Sequence, residues 1–515
     1  MPISLRRLDI ALIAWLAVFL GLGVWASWSW RFQHDSPIML YVAYLMDQGR
    51  VPYVEIFDMN LPGTYLAYYG LMKIFGLSDA GMRAADLALL AGTLALTWLW
   101  LRPIGIRVAA CGALTWGVMY IGFGPADTLQ RECLMLVPIL CGVLIFLKQE
   151  VSVPRRYFGA GVAFGVVMTM KPQAAIGFPL LVLMDWAASR SSGGTLREDW
   201  RTWRAAWAAG AAGLAIPIVF AVLFMWRSGA LAPMAEMMAN YWPLYGRLGD
   251  DHQTLSGGDR VGYMIRQYRS LGGYEIWLGP AALGAFMALH ATPLDPRQRL
   301  HVRALLVLTL AYSLYPLFSG QFWRYHWFLL AFFLAQTSAL CLIRQPAATG
   351  RARLLFAPSV LAFVLVMMTP LGLAREGLIG GRPEPIKDGR VDAIASFLRR
   401  EMRPGETVQP LDWTAGAVHA MLIARAPIAT RHVYDFHFYH HVSRPYIQEL
   451  RRRFITDLTD ARPRFLIEMT TDDKPWVSGR DTTRRFEALE ALIRGDYTVA
   501  VEGKGFRIHE RRPGA

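Results

Sequence analysis

Apolar runs long enough to cross a bilayer recur through the first 373 residues and then stop. They cover residues 8–30, 84–101, 107–123, 132–147, 205–226, 274–291, 304–318, 325–343 and 354–373, and a longer run, 157–187, is interrupted by Lys171-Pro172. A hydrocarbon core about 30 Å thick needs about 20 apolar residues per helix, so the pattern predicts an α-helical polytopic membrane protein. Beyond residue 373 the pattern shortens and becomes rich in Arg, Asp and Glu. Helix-period segments at Val391–Glu401, Tyr446–Leu458 and Arg484–Ile493 alternate there with strand-like runs at Thr407–Leu411, Pro427–Thr430 and Phe465–Met469. A hairpin, Tyr497–Glu502 with Phe506–Glu510, closes the chain about a Gly-Lys-Gly turn. Two domains are expected: a transmembrane domain, 1–373, and a small α/β domain, 374–515.

The path through the bilayer turns on residues 157–187. Read as two helices of about 14 residues, each about 21 Å long, the run breaks at Lys171-Pro172. Short cytoplasmic loops carry an excess of Lys and Arg. With the N-terminus inside, two helices place loops 188–203, 292–303 and 344–353 in the cytoplasm, with Arg190, Arg197, Arg201, Arg297, Arg299, Arg303, Arg344, Arg351 and Arg353. The opposite loops, 227–273 and 319–324, are longer yet hold only Arg227, Arg247, Arg260, Arg266, Arg269 and Arg324. That asymmetry favours two short helices, about eleven spans in all, and an extracytoplasmic C-terminal domain. The first run is longer than a signal-peptide core and shows no small-residue cleavage site, so it reads as a retained anchor.

Composition agrees and adds limits. Hydrophobic residues make up 54% of the 515-residue chain, too apolar for an ordinary soluble enzyme. The four cysteines, Cys111, Cys133, Cys141 and Cys341, all lie in or beside apolar runs and offer no disulfide framework or zinc spacing. A net charge of +14 suits anionic lipid surfaces; membrane lipids, not nucleic acid, are the expected partners of that charge.

Candidate chemistry concentrates in the first polar loop, residues 31–83. Asp35 follows the first span directly, with His34 before it and Ser36-Pro37 after it. An Asp here either caps the next helix or serves as a general base at the membrane surface. Asp58 either caps a helix starting near Pro62 or, with Asn60, binds sugar hydroxyls. The tyrosines crowding this loop suit an interfacial aromatic belt, with one or two left for stacking on a sugar. In the second outer loop Asp127, Arg131 and Glu132 stand at the mouth of a span, as ion pairs or as contacts to phosphate or acceptor. Lys171, at the helix break, either snorkels or binds an anionic headgroup. Arg324 and His326 suit an oxyanion such as a lipid phosphate, and Arg324 alternatively anchors to headgroups. The His-dense segment Arg431–His441 matches no standard zinc spacing. Residues 240–273 form a stretch long enough for a mobile lid.

Taken together these residues resemble a family. An acid after the first span is followed by Gly49-Arg50-Val51-Pro52-Tyr53, by Asp58 and a Pro62 turn, and by Phe75-Gly76-Leu77-Ser78-Asp79-Ala80-Gly81-Met82-Arg83. Arg131-Glu132 and Lys171-Pro172 follow. The pattern resembles the GT-C superfamily of membrane glycosyltransferases, including bacterial protein mannosyltransferase-like, lipid A aminoarabinose transferase-like and RgtA/B/C/D-like enzymes. It covers the N-terminal half well, while Tyr325-His326 and the C-terminal α/β domain fit more loosely. Two departures stand out: Leu61-Pro62-Gly63 where relatives often have consecutive prolines, and His34-Asp35 where they have paired acids. The second departure weakens any two-carboxylate metal argument.

The resemblance implies a polyprenyl-phosphate-linked sugar as donor, a glycan, lipid or protein as acceptor, and the bacterial inner membrane with a periplasmic C-terminal domain as location. Asp35 would activate the acceptor for inverting transfer. Lys171, Arg324 and His326 would neutralise the departing phosphate, while Arg131, Glu132, Asp58 and Asn60 position sugar or acceptor and His34 flanks the base. No cofactor is implied; a divalent metal is compatible with this chemistry but not required by it. Two other classes fit a membrane protein handling lipid-linked sugars. A flippase or transporter usually shows repeated halves, which this chain lacks. A polysaccharide polymerase or ligase is expected to carry its main polar loop late in the chain.

Overall fold

The computed structural model describes residues 5–190, 196–249, 252–255, 257–291, 293–343, 351–378, 386–470, 474 and 477–514. Arg344, and with it most of the expected cytoplasmic loop 344–353, lies outside the described residues. The apolar runs are helices. α1 (Leu5–Ala26) leads into the first polar loop, which holds two short helices, α2 (Ser36–Asp47) and α3 (Pro62–Phe75). α4 (Asp79–Leu101), α5 (Ile106–Gly122) and α6 (Arg131–Phe146) follow. Ser78 caps α4, its hydroxyl accepting from the Gly81 amide at 3.0 Å, a local reason for the helix to start there.

The 157–187 run is two helices, as the loop charges required. α7 (Val153–Met170) and α8 (Gly177–Arg190) are joined by a 3-10 turn, Pro172–Ile176. Lys171 leaves the helical backbone (φ −149°, ψ 103°), and Pro172 offers no amide to continue it. α9 (Leu196–Arg227) packs closely on α7, where a side chain on Gly161 would strike the Gly210 carbonyl and one on Gly213 the Phe158 carbonyl. Small residues at such contacts let helix backbones approach, the usual device in a bilayer.

Residues 231–270 form α10 (Leu231–Asn240), α11 (Trp242–Tyr245) and α12 (Gly257–Ser270). The segment expected as a lid is thus largely helical and packed down: Trp242 Nε1 donates to the Met59 carbonyl at 3.1 Å. α13 (Leu278–Phe286), α14 (Pro296–Ser313), α15 (Tyr315–Ser319), α16 (Phe328–Ala339) and α17 (Arg351–Arg375) complete the apolar half. Six helices among the described residues are long and apolar enough to cross a membrane. The other expected spans are shorter or broken, so the count of eleven rests on loop charge.

The C-terminal segment carries α18 (Arg390–Glu401), α19 (Ala417–Ala424), α20 (Pro445–Ala461) and α21 (Glu487–Asp496). Its sheet has four strands: β1 (Val408–Leu411), β2 (Phe465–Met469), β3 (Tyr497–Gly503) and β4 (Phe506–Arg511). They lie in the order β1-β2-β4-β3, with β1 parallel to β2 and the rest antiparallel. Pro427–Thr430, expected as a strand, makes only an isolated bridge between Val408 and Ile428. The Gln409 side chain takes over there, accepting from the Thr430 amide at 3.1 Å and its hydroxyl at 2.8 Å.

This segment is fastened to the first polar loop. The Phe57 amide donates to the Arg431 carbonyl at 2.7 Å, Tyr41 Oη to the Ala426 carbonyl at 2.6 Å, and Arg50 to the Ile428 carbonyl at 2.9 Å. Arg31 joins Asp79 at 2.5 Å and Asp392 at 2.8 Å, and His419 meets Asp79 at 2.9 Å. The acid and arginine of the Phe75–Arg83 motif are therefore scaffolding: Asp79 ties three segments together, and the fully buried Arg83 pairs with Asp86 and donates to Ser27 Oγ at 2.5 Å.

Candidate active site

A cavity of about 370 Å³ opens where the first polar loop, the Lys171 break, α11 and the C-terminal segment meet. Asp35, Asn60, Arg131, Lys171 and His326 line it together with Tyr245, Tyr325, Trp413 and Tyr434. Five of the residues singled out in the sequence thus share one cavity, although they come from four separated stretches of chain.

Asp35 is aimed by its neighbours. His34 takes a left-handed backbone (φ 61°), a conformation His tolerates better than most residues, and Asp35 stands at the start of α2. It does not cap that helix with its side chain; the capping alternative is excluded. Its carboxylate instead faces His34 Nδ1 at 3.0 Å, and Ser36 anchors the turn by donating to the Thr128 carbonyl at 2.6 Å. Burial pushes the Asp35 carboxyl up, but the charges of His34, Arg131 and Lys171 outweigh it and hold it below the usual carboxylate range. Asp35 is therefore ionised at neutral pH and free to accept a proton.

The cations divide into two kinds. Lys171 pairs with Glu132, which is fully buried and also accepts from Tyr315 Oη at 3.0 Å. Arg131 has no carboxylate within ion-pairing distance among the described residues; its guanidinium lies 6.0 Å from the Tyr325 ring, which Lys171 approaches at 5.3 Å. His326 is 3% exposed, packs against Trp323 at 5.6 Å and leaves Nδ1 buried without a hydrogen-bond partner. Glu132 Oε2 and Arg131 Nε are likewise buried and unpartnered. Such groups are costly unless something satisfies them, and two of them, on Arg131 and His326, belong to residues that line the cavity, so its wall is suited to a polar ligand.

Four of the expected site residues, Arg324, His34, Asp58 and Glu132, do not line the cavity; Glu132 stands behind it as the partner of Lys171. Arg324, expected at the phosphate, does not line the cavity; it faces Asp127 at 3.4 Å and donates to the Phe123 carbonyl at 3.2 Å. Two acceptors on one side of a half-exposed guanidinium hold it away from the cavity. His34 touches the site only through Asp35. Asp58 does not cap α3, whose N-cap is Leu61. It accepts instead from Asn60 Nδ2 at 2.8 Å and Tyr434 Oη at 3.4 Å, so it positions Asn60, the residue that faces the cavity.

Burial pushes the Asp58 carboxyl up to about 6, Arg131 opposing, and Asp127 is raised to about 6 by burial against Arg324. A carboxyl raised in the folded state stabilises fully below its unfolded value near 3.9 and loses that contribution as pH rises through about 6. Two units correspond to about 3 kcal/mol. Asp58→Asn is expected to raise the unfolding midpoint above wild type at pH 7.5 and to flatten the profile between pH 4 and 6.5. Thermal unfolding in detergent measures this; an equal or lower midpoint at pH 7.5 rejects the assignment.

Among the described residues no group of three or more His, Cys, Asp or Glu side chains converges as metal ligands would. In the His-dense segment, His432 Nδ1 and His437 Nε2 lie 2.9 Å apart, with both rings against Phe57. The residues missed in the sequence are Tyr245, Trp413 and Tyr434. No local pattern marks them, because each reaches the cavity only through the docking of distant segments.

No protein-family model matches the chain, and no curated protein matches its sequence. Its three-dimensional likeness is to ArnT from Cupriavidus metallidurans. The structure of that protein bound to undecaprenyl phosphate superposes with a TM-score of 0.62 at 14% identity, covering 97% of this chain and 98% of ArnT. The fold is GT-C. The apo-state ArnT structure agrees, with a TM-score of 0.60 at 15% identity over the same shares of each chain. The superposition on ArnT covers 97% of this chain and so reaches into the C-terminal segment, the part for which the sequence motifs gave the loosest fit.

Proposed function

We propose that the chain is a glycosyltransferase that moves a sugar from a polyprenyl-phosphate donor to a glycan, lipid or protein acceptor at the outer face of the bacterial inner membrane. The observation that carries this reading is the cavity itself, which sets an ionised carboxylate, Asp35, beside the cations Arg131 and Lys171 in a GT-C fold. Neither a base alone nor a phosphate site alone needs both.

In this reading Asp35 takes the proton of an acceptor hydroxyl or amine as it attacks the anomeric carbon. The bond from that carbon to the phosphate oxygen breaks in the same displacement, with inversion, and polyprenyl phosphate departs. Charge builds on the phosphate as the bond breaks, which is where fixed cations lower a barrier most. Arg131 is the better-placed cation, being uncommitted to a carboxylate, and its planar fork suits a phosphate. Lys171 adds positive charge beside it, and Asn60, held by Asp58, addresses sugar hydroxyls. An apolar groove of about 540 Å³, lined by Phe178, Leu183, Trp207 and Leu214 among others, shares Pro172, Gln173 and Phe318 with the cavity. It gives a prenyl chain a place beside the phosphate. The solved structure of ArnT bound to undecaprenyl phosphate adds support for such a lipid.

Hydrogen bonds to a charged group contribute about 1.5–3 kcal/mol, so Arg131→Ala is expected to weaken binding of undecaprenyl phosphate by roughly ten- to over a hundredfold. Titration of purified protein in nanodiscs measures it. Unchanged affinity in a folded variant removes Arg131 from the phosphate and the reading with it.

A further inference from the structure

A second cavity, of about 160 Å³, lies behind the Asp58–Asn60 turn, apart from the cavity that holds Asp35. Tyr53, Phe57, Asp58, Glu236, Arg431 and Tyr446 are among its lining residues, drawn from the first polar loop, α10 and the C-terminal segment. Two polar atoms of these residues are buried without a hydrogen-bond partner, Asp58 Oδ2 and Arg431 Nε. Asp58 is 1% exposed. The remaining polar atoms of both side chains are largely committed: Asp58 Oδ1 accepts from Asn60 Nδ2 at 2.8 Å, and Arg431 donates to the Tyr53 carbonyl at 2.6 Å with its guanidinium 5.5 Å from the Phe57 ring.

One acceptor and one donor, each buried and unsatisfied, call for a ligand whose groups both donate and accept. Hydroxyls do this, whereas a phosphate or carboxylate only accepts. Charge points the same way. Arg453 also lines the cavity but is tied to Glu449 at 2.6 Å and to Glu236 at 3.8 Å, so Asp58 and Glu236 balance the arginines and no uncompensated positive charge is left for an anion. The volume equals about five waters at ~30 Å³ each, the scale of one sugar ring and not of a chain. Tyr446 supplies an aromatic wall of the kind on which sugar rings stack.

We propose that this cavity is a subsite for one neutral sugar residue, a hydroxyl of which donates to Asp58 Oδ2 and accepts from Arg431 Nε. The proposal rests on the transferase reading with a glycan as acceptor, the bound sugar being a residue of that glycan away from its reacting end. Asn60 lines the catalytic cavity and donates to the same Asp58, so occupancy of the subsite steadies the residue that addresses the donor sugar.

The test is saturation-transfer NMR on the full-length protein in nanodiscs with the methyl glycosides of glucose, galactose and mannose. At least one is expected to bind, and Arg431→Ala to weaken it at least tenfold. Val54→Trp, at a position 40% exposed on the cavity rim, is expected to do the same by filling the space without touching its charged groups. Asp35→Asn is expected to leave this binding unchanged. Binding by none of the three glycosides overturns the subsite. So does binding that survives Val54→Trp, or binding lost in Asp35→Asn, which would put the sugar in the catalytic cavity. Protein that binds a glycoside in this way yet never releases polyprenyl phosphate from a donor refutes the transferase and keeps the sugar site.

Discussion

Asp35→Asn is expected to lower sugar transfer a hundred- to ten-thousandfold, the range a positioned general base contributes. The variant should unfold at the wild-type temperature, because Asp35 caps nothing with its side chain and its one short-range partner is the half-exposed His34. It should also bind undecaprenyl phosphate no more weakly than wild type, since removing a carboxylate next to a phosphate site relieves repulsion. Rate and affinity thus move independently. Transfer within a factor of ten of wild type shows that Asp35 is not the base.

The second large effect falls on stability. Lys171→Ala leaves Glu132 fully buried with only the Tyr315 hydroxyl as partner. Removing one member of a buried ion pair costs about 3–5 kcal/mol, because the charge that remains has lost its compensation. Replacing both members, as in Lys171→Met with Glu132→Leu, is expected to recover most of that loss. Thermal unfolding of the three proteins in detergent measures it. A Lys171→Ala variant as stable as wild type means the pair is not the staple its burial implies, and a double variant as unstable as the single means the damage is packing, not charge.

These expectations show where sequence was readable. The break at Lys171-Pro172 was legible from two signals: a proline whose missing amide ends α7 locally, and the arginine asymmetry of the loops, which chose two helices over one kinked helix. The closing hairpin was legible because its Gly-Lys-Gly turn and alternation lie within one short window. The Phe75–Arg83 motif was visible but its role was not. Asp79 and Arg83 have the residue types of a binding site, and only the partners Arg31, His419 and Asp86 reveal them as scaffold. Arg324 misled for a related reason, since a guanidinium near a cavity and one turned toward Asp127 look alike in sequence. Trp413 and Tyr434 were not readable at all. They belong to the cavity because the Arg431 carbonyl meets the Phe57 amide across more than 370 residues of chain, and no window along the sequence contains that contact.

In the proposed function this cavity breaks the bond between a sugar and a polyprenyl phosphate. Incubating the reconstituted protein with a radiolabelled polyprenyl-phosphate sugar and cell-envelope acceptors, then separating the lipid products, tests it most directly. Polyprenyl monophosphate is expected to appear in step with labelled acceptor. A polyprenyl diphosphate product from diphosphate-linked donors only, or movement of intact donor across the membrane with no bond broken, would contradict it.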